Sequence, residues 1–185
     1  MMRFAHMVAG FLIALAVICP AQATVNDATA NGFSVAQTLE IAASPDKVYG
    51  QLIVPARWWS SRHTFSHSAD NLVLDARAGG CWCEKLPNGG SVLHLTVVNV
   101  VPGQTLVLRG ALGPLQGLGV DGALAITLKP AGAGTELSLT YNVGGYRMDG
   151  LQSWAAPVDG VLGEQMARLK ALIETGSPEP KGDVK

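Results

Sequence analysis

The stretch Gly79-Gly80-Cys81-Trp82-Cys83-Glu84, with His94 on the next extended segment, holds the side chains best able to do chemistry: two thiols, a carboxylate and an imidazole. In a strand, Cys81 and Cys83 share one face while Trp82 and Glu84 share the other. Residues two apart in an ideal strand lie roughly 6.7 Å apart with near-parallel side chains, so a bond between the sulfurs requires a bulge or strain. Three readings stay open. The first takes Cys81 and Cys83 as small apolar thiols packed on a strand beside a cavity, the usual behaviour of free Cys. The second is a bulged or strained disulfide, which an oxidising compartment promotes. The third is a reactive or ligating pair. A zinc or copper site would need Cys81, Cys83 and His94 as a three-ligand set, and with no paired CxxC motif neither a metal nor a cofactor is assigned. His63 and His67 have the spacing of one helix face, but their Thr and Ser neighbours read as loop. Glu84 and His94 would form an acid–base pair if a cavity brought them together. Otherwise they are a solvated strand carboxylate and a satisfied histidine. No Gly-x-Ser-x-Gly elbow is present and no catalytic residue is assigned.

The N-terminus bears on the redox question. Arg3 precedes an apolar run from Met7 to Ile18, then Pro20 and the small-x-small triplet Ala21-Gln22-Ala23. This has the form of a secretory signal cleaved after Ala23, which implies a periplasmic or secreted protein. Cys19 follows a bulky Ile18, unlike a lipoprotein signal, and is read as part of the discarded segment. Removing 23 of the 185 residues leaves 162, enough for one domain with its own core. Arg3 is the only charge removed, so the processed chain carries 12 basic and 14 acidic residues. Without a basic patch or charge run, nucleic acid and anionic membrane surfaces are not expected partners. Residues 24–32 read as a polar leader, and the Pro- and Lys-rich end, 175–185, as a flexible tail.

The elements that position these residues follow from periodicity. Phe33, Val35, Leu39 and Ile41 alternate as a strand. Ser44, Pro45 and Asp46 then open a short helix to about Ile53, and Pro55 restarts a second short one. Six more strands are marked off by Gly- and Pro-rich turns between residue 71 and Tyr146, the short turns implying antiparallel hairpins. From Val158 to Glu174 the apolar residues Val158, Val161, Leu162, Met166, Leu169, Leu172 and Ile173 fall on one stripe, a long amphipathic helix. A curved seven-stranded antiparallel sheet needs that helix to cover its concave face, which leaves room for a cavity between them.

The order of elements, with "IAASPDKVYGQLIVPARWW", "AGGCWCEKLPNGGSVLHLTVVNVVPGQTLVLRG" and "GTELSLTYNVGGY", resembles the START-like (SRPBCC) superfamily over residues 33–174. The resemblance implies an α+β helix-grip fold: a curved seven-stranded sheet wrapped on a long C-terminal helix, with two short helices after the first strand. It implies a cavity for a small apolar or amphipathic ligand. The side chains placed around it are Trp58, Trp59, His63, Trp82, Glu84, His94, Leu115, Tyr141 and Tyr146. Trp154 belongs to the same aromatic set, and "GALGPLQG" is expected at the mouth. Two alternatives stand beside a binder: a cyclase- or hydrolase-type enzyme using polar cavity residues, and a protein-interaction module like the superfamily's chaperone-activating members.

Overall fold

The computed structural model describes residues 22–180. The expected signal falls almost wholly outside the described residues, as do the last five residues of the expected tail. Eight strands form one antiparallel sheet: β1 (Gln22–Thr29), β2 (Gly32–Ile41), β3 (Leu72–Leu74), β4 (Cys81–Lys85), β5 (Ser91–Val101), β6 (Thr105–Arg109), β7 (Gly119–Ala131) and β8 (Gly134–Tyr146). Their spatial order is β1-β2-β8-β7-β6-β5-β4-β3. Consecutive hairpins run from β3 to β8, and β2 closes onto β8. Helix α1 (Pro45–Leu52) follows β2, and α2 (Ala155–Thr175) ends the fold.

Two expectations are corrected. The sheet has eight strands and not seven, because β1 runs from the last two residues of the expected signal into the segment read as a polar leader. From Val25 to Thr29 that strand is exposed at the sheet edge, so no apolar alternation announces it. After α1 the chain forms single 3-10 turns at Pro55–Arg57, Ser61–His63 and Ala69–Asn71 in place of a second α-helix.

The core lies between sheet and α2. Phe33, Val35, Leu39 and Ile41 of β2, Leu124, Ile126 and Leu128 of β7, and Leu137, Leu139, Tyr141 and Val143 of β8 are buried. They meet Leu162, Met166, Leu169, Leu172 and Ile173 of α2. The alternation follows from successive strand residues pointing to opposite faces. Each large apolar side chain taken from water here contributes about 1.5–3 kcal/mol. One polar pair enters this face: Gln37 Nε2 donates to Asp159 Oδ1 at 2.6 Å, tying β2 to the first turns of α2. The helix ends at Gly176, whose left-handed φ of 83° lets its amide donate to the Leu172 carbonyl.

β2, β8 and β7 pair without a break in register. β5 differs, with irregularities against both β4 and β6. Bulges bend and twist a strand beyond its ordinary curvature. The bent β4–β5 end therefore diverges from the straight helix, and the cavity opens there.

Candidate functional site

The cavity has a volume of about 270 Å³. One wall comes from the loops after α1 (Trp59, Arg62, His63, Thr64, Phe65) and another from Leu72, Trp82 and His94 on the β3–β4–β5 end. The third comes from Leu112 to Leu115 and from Trp154, Pro157, Val158, Val161 and Leu162 at the start of α2. Trp58, Trp59 and Trp82 pack edge to face with centroids 5.0–6.2 Å apart, the favoured arrangement of aromatic quadrupoles. The helix holds this wall through two bonds. Arg168 Nε donates to the Trp58 carbonyl at 2.8 Å, and the Ser60 amide donates to Gln165 Oε1 at 2.7 Å.

A bulge in β5 lies at His94. Cys81 faces Thr96, Trp82 faces Leu95 and Cys83 faces Leu93, so three residues of β4 oppose four of β5 and His94 is the one without a partner. Strict alternation would put His94 and Leu95 on opposite faces; with the extra residue, both are buried, and Leu93 is left 57% exposed. The imidazole thus reaches Glu84, which is wholly buried behind it, and Nε2 lies 2.9 Å from Glu84 Oε2. Glu84 also accepts hydrogen bonds from the Phe65 amide at 3.1 Å and from the Ser66 amide. Burial pushes the Glu84 carboxyl up, but the hydrogen bonds from Ser66, Phe65 and His94 outweigh it and hold the group below the ordinary Glu value, as an anion. Burial pushes His94 down more than Glu84 raises it, so the imidazole is neutral near pH 7. A neutral ring facing an anion donates through Nε2–H. Nδ1 is then a lone-pair acceptor, buried without a hydrogen-bond partner among the described residues, on a ring that forms part of the cavity wall. The Phe65 ring stacks over the imidazole, 6.0 Å away and 24° from parallel.

At the mouth Glu164 of α2 bridges to Arg62 (2.9 Å) and His63 (3.1 Å). The Leu112–Leu115 side is fixed by Tyr141, whose hydroxyl donates to the Gly110 carbonyl and accepts from the Leu112 amide, both at 2.9 Å. Gly122 makes room for that phenol: a Cβ there would stand 2.6 Å from Tyr141 Cε2. Burial raises the Tyr141 hydroxyl to about 12, so it remains a neutral donor.

Of the side chains expected around a ligand, the structure brings Trp59, His63, Trp82, His94 and Leu115 to the cavity, with Glu84 directly behind His94. Three lie elsewhere. Trp58 is buried behind Trp59 and donates to the Gln51 carbonyl. Tyr141 uses its hydroxyl to hold the loop. Tyr146 is 75% exposed at the C-terminal end of β8 and is not part of the cavity lining. Phe65, Leu72 and the α2 residues Pro157, Val158 and Val161 are lining residues that the sequence reading did not include; the apolar stripe of α2 was the visible signal for Val158 and Val161.

The reading of Cys81 and Cys83 as packed thiols beside the cavity is overturned. Trp82 and Glu84 face inward, the cysteines lie half-buried on the outer face, and the two are joined as a disulfide with Cα atoms 5.4 Å apart. The bulged pairing allows this short approach. With the sulfurs outside and His94 inside, the conjectured three-ligand set is not assembled. No group of three or more His, Cys, Asp or Glu suited to a metal occurs among the described residues.

A curved antiparallel sheet gripping a long C-terminal helix, with a cavity at its bent end, defines the helix-grip class of ligand-cavity domains. The chain belongs to the START-like (SRPBCC) superfamily, in the family described as polyketide cyclase/dehydrase and lipid transport, which it matches over residues 32–174. A comparison with curated proteins gave no match. Among solved structures it is similar to the Aha1 dimer from Colwellia psychrerythraea, at 17% identity and a TM-score of 0.56, covering 77% of this chain and 97% of that one. It is also similar to CalU16 from Micromonospora echinospora (17% identity, TM-score 0.55, 86% and 87% covered). A conserved protein of unknown function from Enterococcus faecalis gives 16% identity, a TM-score of 0.54, and 88% and 81% covered. These likenesses show the fold. The family points to small-molecule binding or cyclase-type chemistry. Among the described residues no helix is long and apolar enough to cross a membrane.

Proposed function

We propose that this chain is an exported protein that binds a small, mainly apolar ligand in the cavity and selects one carrying a hydrogen-bond donor. The observation that carries the reading is the buried, unpartnered Nδ1 of His94, on a ring that lines a predominantly apolar cavity and whose Nε2 is engaged by Glu84. A buried acceptor left unpaired costs about 1–3 kcal/mol, which a hydroxyl or N–H on the ligand recovers. A cavity of about 150 Å³ is known to take benzene. By that scale 270 Å³ suits a ligand of about two fused rings. Export is supported by the form of the first 23 residues and by the disulfide, which persists in oxidising compartments.

Calorimetric titration with 2-naphthol and 2-methylnaphthalene tests the reading. The two probes are similar in volume and differ in the donor. The hydroxyl probe should bind roughly three- to tenfold more tightly, and His94→Phe should abolish the difference. Equal affinities for the unaltered protein, or no binding of either, would sink the proposal. For export, the intact mass of protein recovered from a bacterial periplasm should begin at Thr24.

A second reading rests on the same pair. A neutral imidazole backed by a buried carboxylate has the arrangement of a general base with its orienting group. In a cyclase-type reaction Nδ1 would take the proton and Glu84 would stabilise the imidazolium. Turnover of an aromatic polyketide-like substrate, lost in Glu84→Gln, distinguishes an enzyme from a binder.

A further inference from the structure

The Cys81–Cys83 disulfide lies outside the cavity, and its place in the chain does not suit a structural bond. It joins residues of a single strand, β4, and encloses only Trp82. A disulfide stabilises a fold mainly by taking loop-closure entropy from the unfolded chain, and the gain grows with the length of the loop. Across so short a loop the gain is small, and the bond ties no second element to β4. That strand is held without it, by ladders to β3 and β5 and by the inward side chains of Trp82 and Glu84.

The surroundings of the bond suit reaction with another thiol. Both cysteines are half-buried on the outer face of the sheet, where solvent reaches them. Alternation places the exposed Lys85 on that same face, next in the row after Cys83. An ammonium ion near a sulfur favours thiolate over thiol, and a stabilised thiolate leaves a disulfide faster. The neighbours of Cys83 in register are Val73 on β3 and Leu93 on β5, 46% and 57% exposed. Two apolar side chains therefore flank this sulfur on the solvent side.

We propose that Cys81 and Cys83 form a thiol–disulfide exchange site that oxidises a dithiol carried on an extended polypeptide segment with apolar side chains. A substrate thiolate attacks the Cys81 Sγ, the Cys81–Cys83 bond breaks, and Cys83 leaves as a thiolate near Lys85. The second substrate thiolate attacks the substrate sulfur of the mixed disulfide, and Cys81 leaves with the bonding pair. Two electrons and two protons have then passed from the dithiol to the two cysteines, and the substrate holds the disulfide. A disulfide oxidant regenerates the pair by the same steps in reverse. Val73 and Leu93 favour a polypeptide over a small polar thiol, because they offer apolar contact only to a substrate with apolar groups beside its cysteines. The site is on the opposite side of the sheet from the cavity and acts whether or not a ligand is bound there.

The test uses the processed chain from Thr24, whose only cysteines are Cys81 and Cys83, in its oxidised form. The probe is a synthetic peptide with two reduced cysteines among Leu and Val residues. Alkylation and mass measurement should show peptide disulfide and free protein thiols appearing together, at least about tenfold faster than oxidised glutathione oxidises the same peptide. Lys85→Gln should slow the exchange about threefold or more, and Lys85→Arg should restore it. Val73→Ser/Leu93→Ser should slow the peptide while leaving reduction of the protein by glutathione unchanged. The Cys81→Ala/Cys83→Ala protein should be inert towards the peptide and melt within about 4 °C of the oxidised protein. A peptide rate below that margin would overturn the proposal, as would indifference to Lys85→Gln or equal slowing of peptide and glutathione by the double Ser variant. A larger fall in melting temperature would mark the bond as a structural staple, and that too overturns it.

Discussion

The β2–β8–β7 half of the sheet and its β4–β5 end are built on opposite terms. In the first, long strands pair in unbroken register, apolar residues alternate, and α2 covers the inner face. In the second, a five-residue strand meets a strand with two irregularities, and the buried side chains include a carboxylate and an imidazole. Regular pairing makes the first half stable and chemically silent. The broken register of the second spends some of that stability on a cavity and a polar pair inside it. Residues of the regular half should therefore govern unfolding with little effect on ligand, whereas residues of the bulged end should act on ligand and stability together.

The largest expected effect tests the stable half. Leu169 of α2 is fully buried. Leu169→Ala should destabilise by about 2–5 kcal/mol in denaturant unfolding, with probe affinity unchanged in the folded protein. A cost below about half a kcal/mol would mean that α2 is not the lid of the core.

Next comes the bulged end. Glu84→Gln keeps the shape but removes the anion that receives three hydrogen bonds, and should cost about 1.5–3 kcal/mol. The pH dependence follows from the two directions. His94 is depressed in the folded state, so the unfolded chain binds its proton first, and stability falls as pH drops below the ordinary His value of about 6.5. Glu84 is also depressed in the folded state. Its contribution is present above the ordinary Glu value of about 4.3 and is lost as pH falls further, through the folded value. His94→Phe should flatten the upper part of this acid limb in unfolding curves taken between about pH 7 and pH 5; an unaltered slope would assign the proton elsewhere.

Tyr141 joins the two regions, standing on β8 and holding the cavity mouth. Tyr141→Phe removes both hydrogen bonds and should cost about 1–2 kcal/mol while speeding probe exchange in stopped-flow mixing. The smallest effect belongs to Tyr146 and Met148, 75% and 84% exposed. Alanine at either position should change stability by no more than about half a kcal/mol and leave probe affinity unaltered. A clear loss of affinity at Tyr146 would return that residue to the site.

The same contrast explains how much was legible in advance. Alternating Leu137, Leu139, Tyr141 and Val143 could face the core in only one way, and the stripe from Val158 to Ile173 needed a sheet to cover. The bulged end offered no such pattern. The alternation of "SVLHLTVV" hides the extra residue that leaves both His94 and Leu95 buried. β1 escaped notice because an exposed edge strand needs no apolar residues. Tyr146 is placed in the site by its aromatic type and by the resemblance, and neither says where along a strand the cavity ends.

Residue order by itself determined the periodicities, the turns, the long final helix and the presence of Cys, Glu and His within one hairpin, because these depend on neighbours a few positions apart. Tertiary structure alone decided which face of β4 turned inward. Trp82 and Glu84 were taken in and the cysteines left outside, because the bulky indole fills the wall beside Trp58 and Trp59 and the Phe65 and Ser66 amides receive the carboxylate. It also decided the register of β4 on β5, and with it the pairing of Glu84 with His94. Register is a relation between two strands, and its energy comes from contacts that neither strand contains alone.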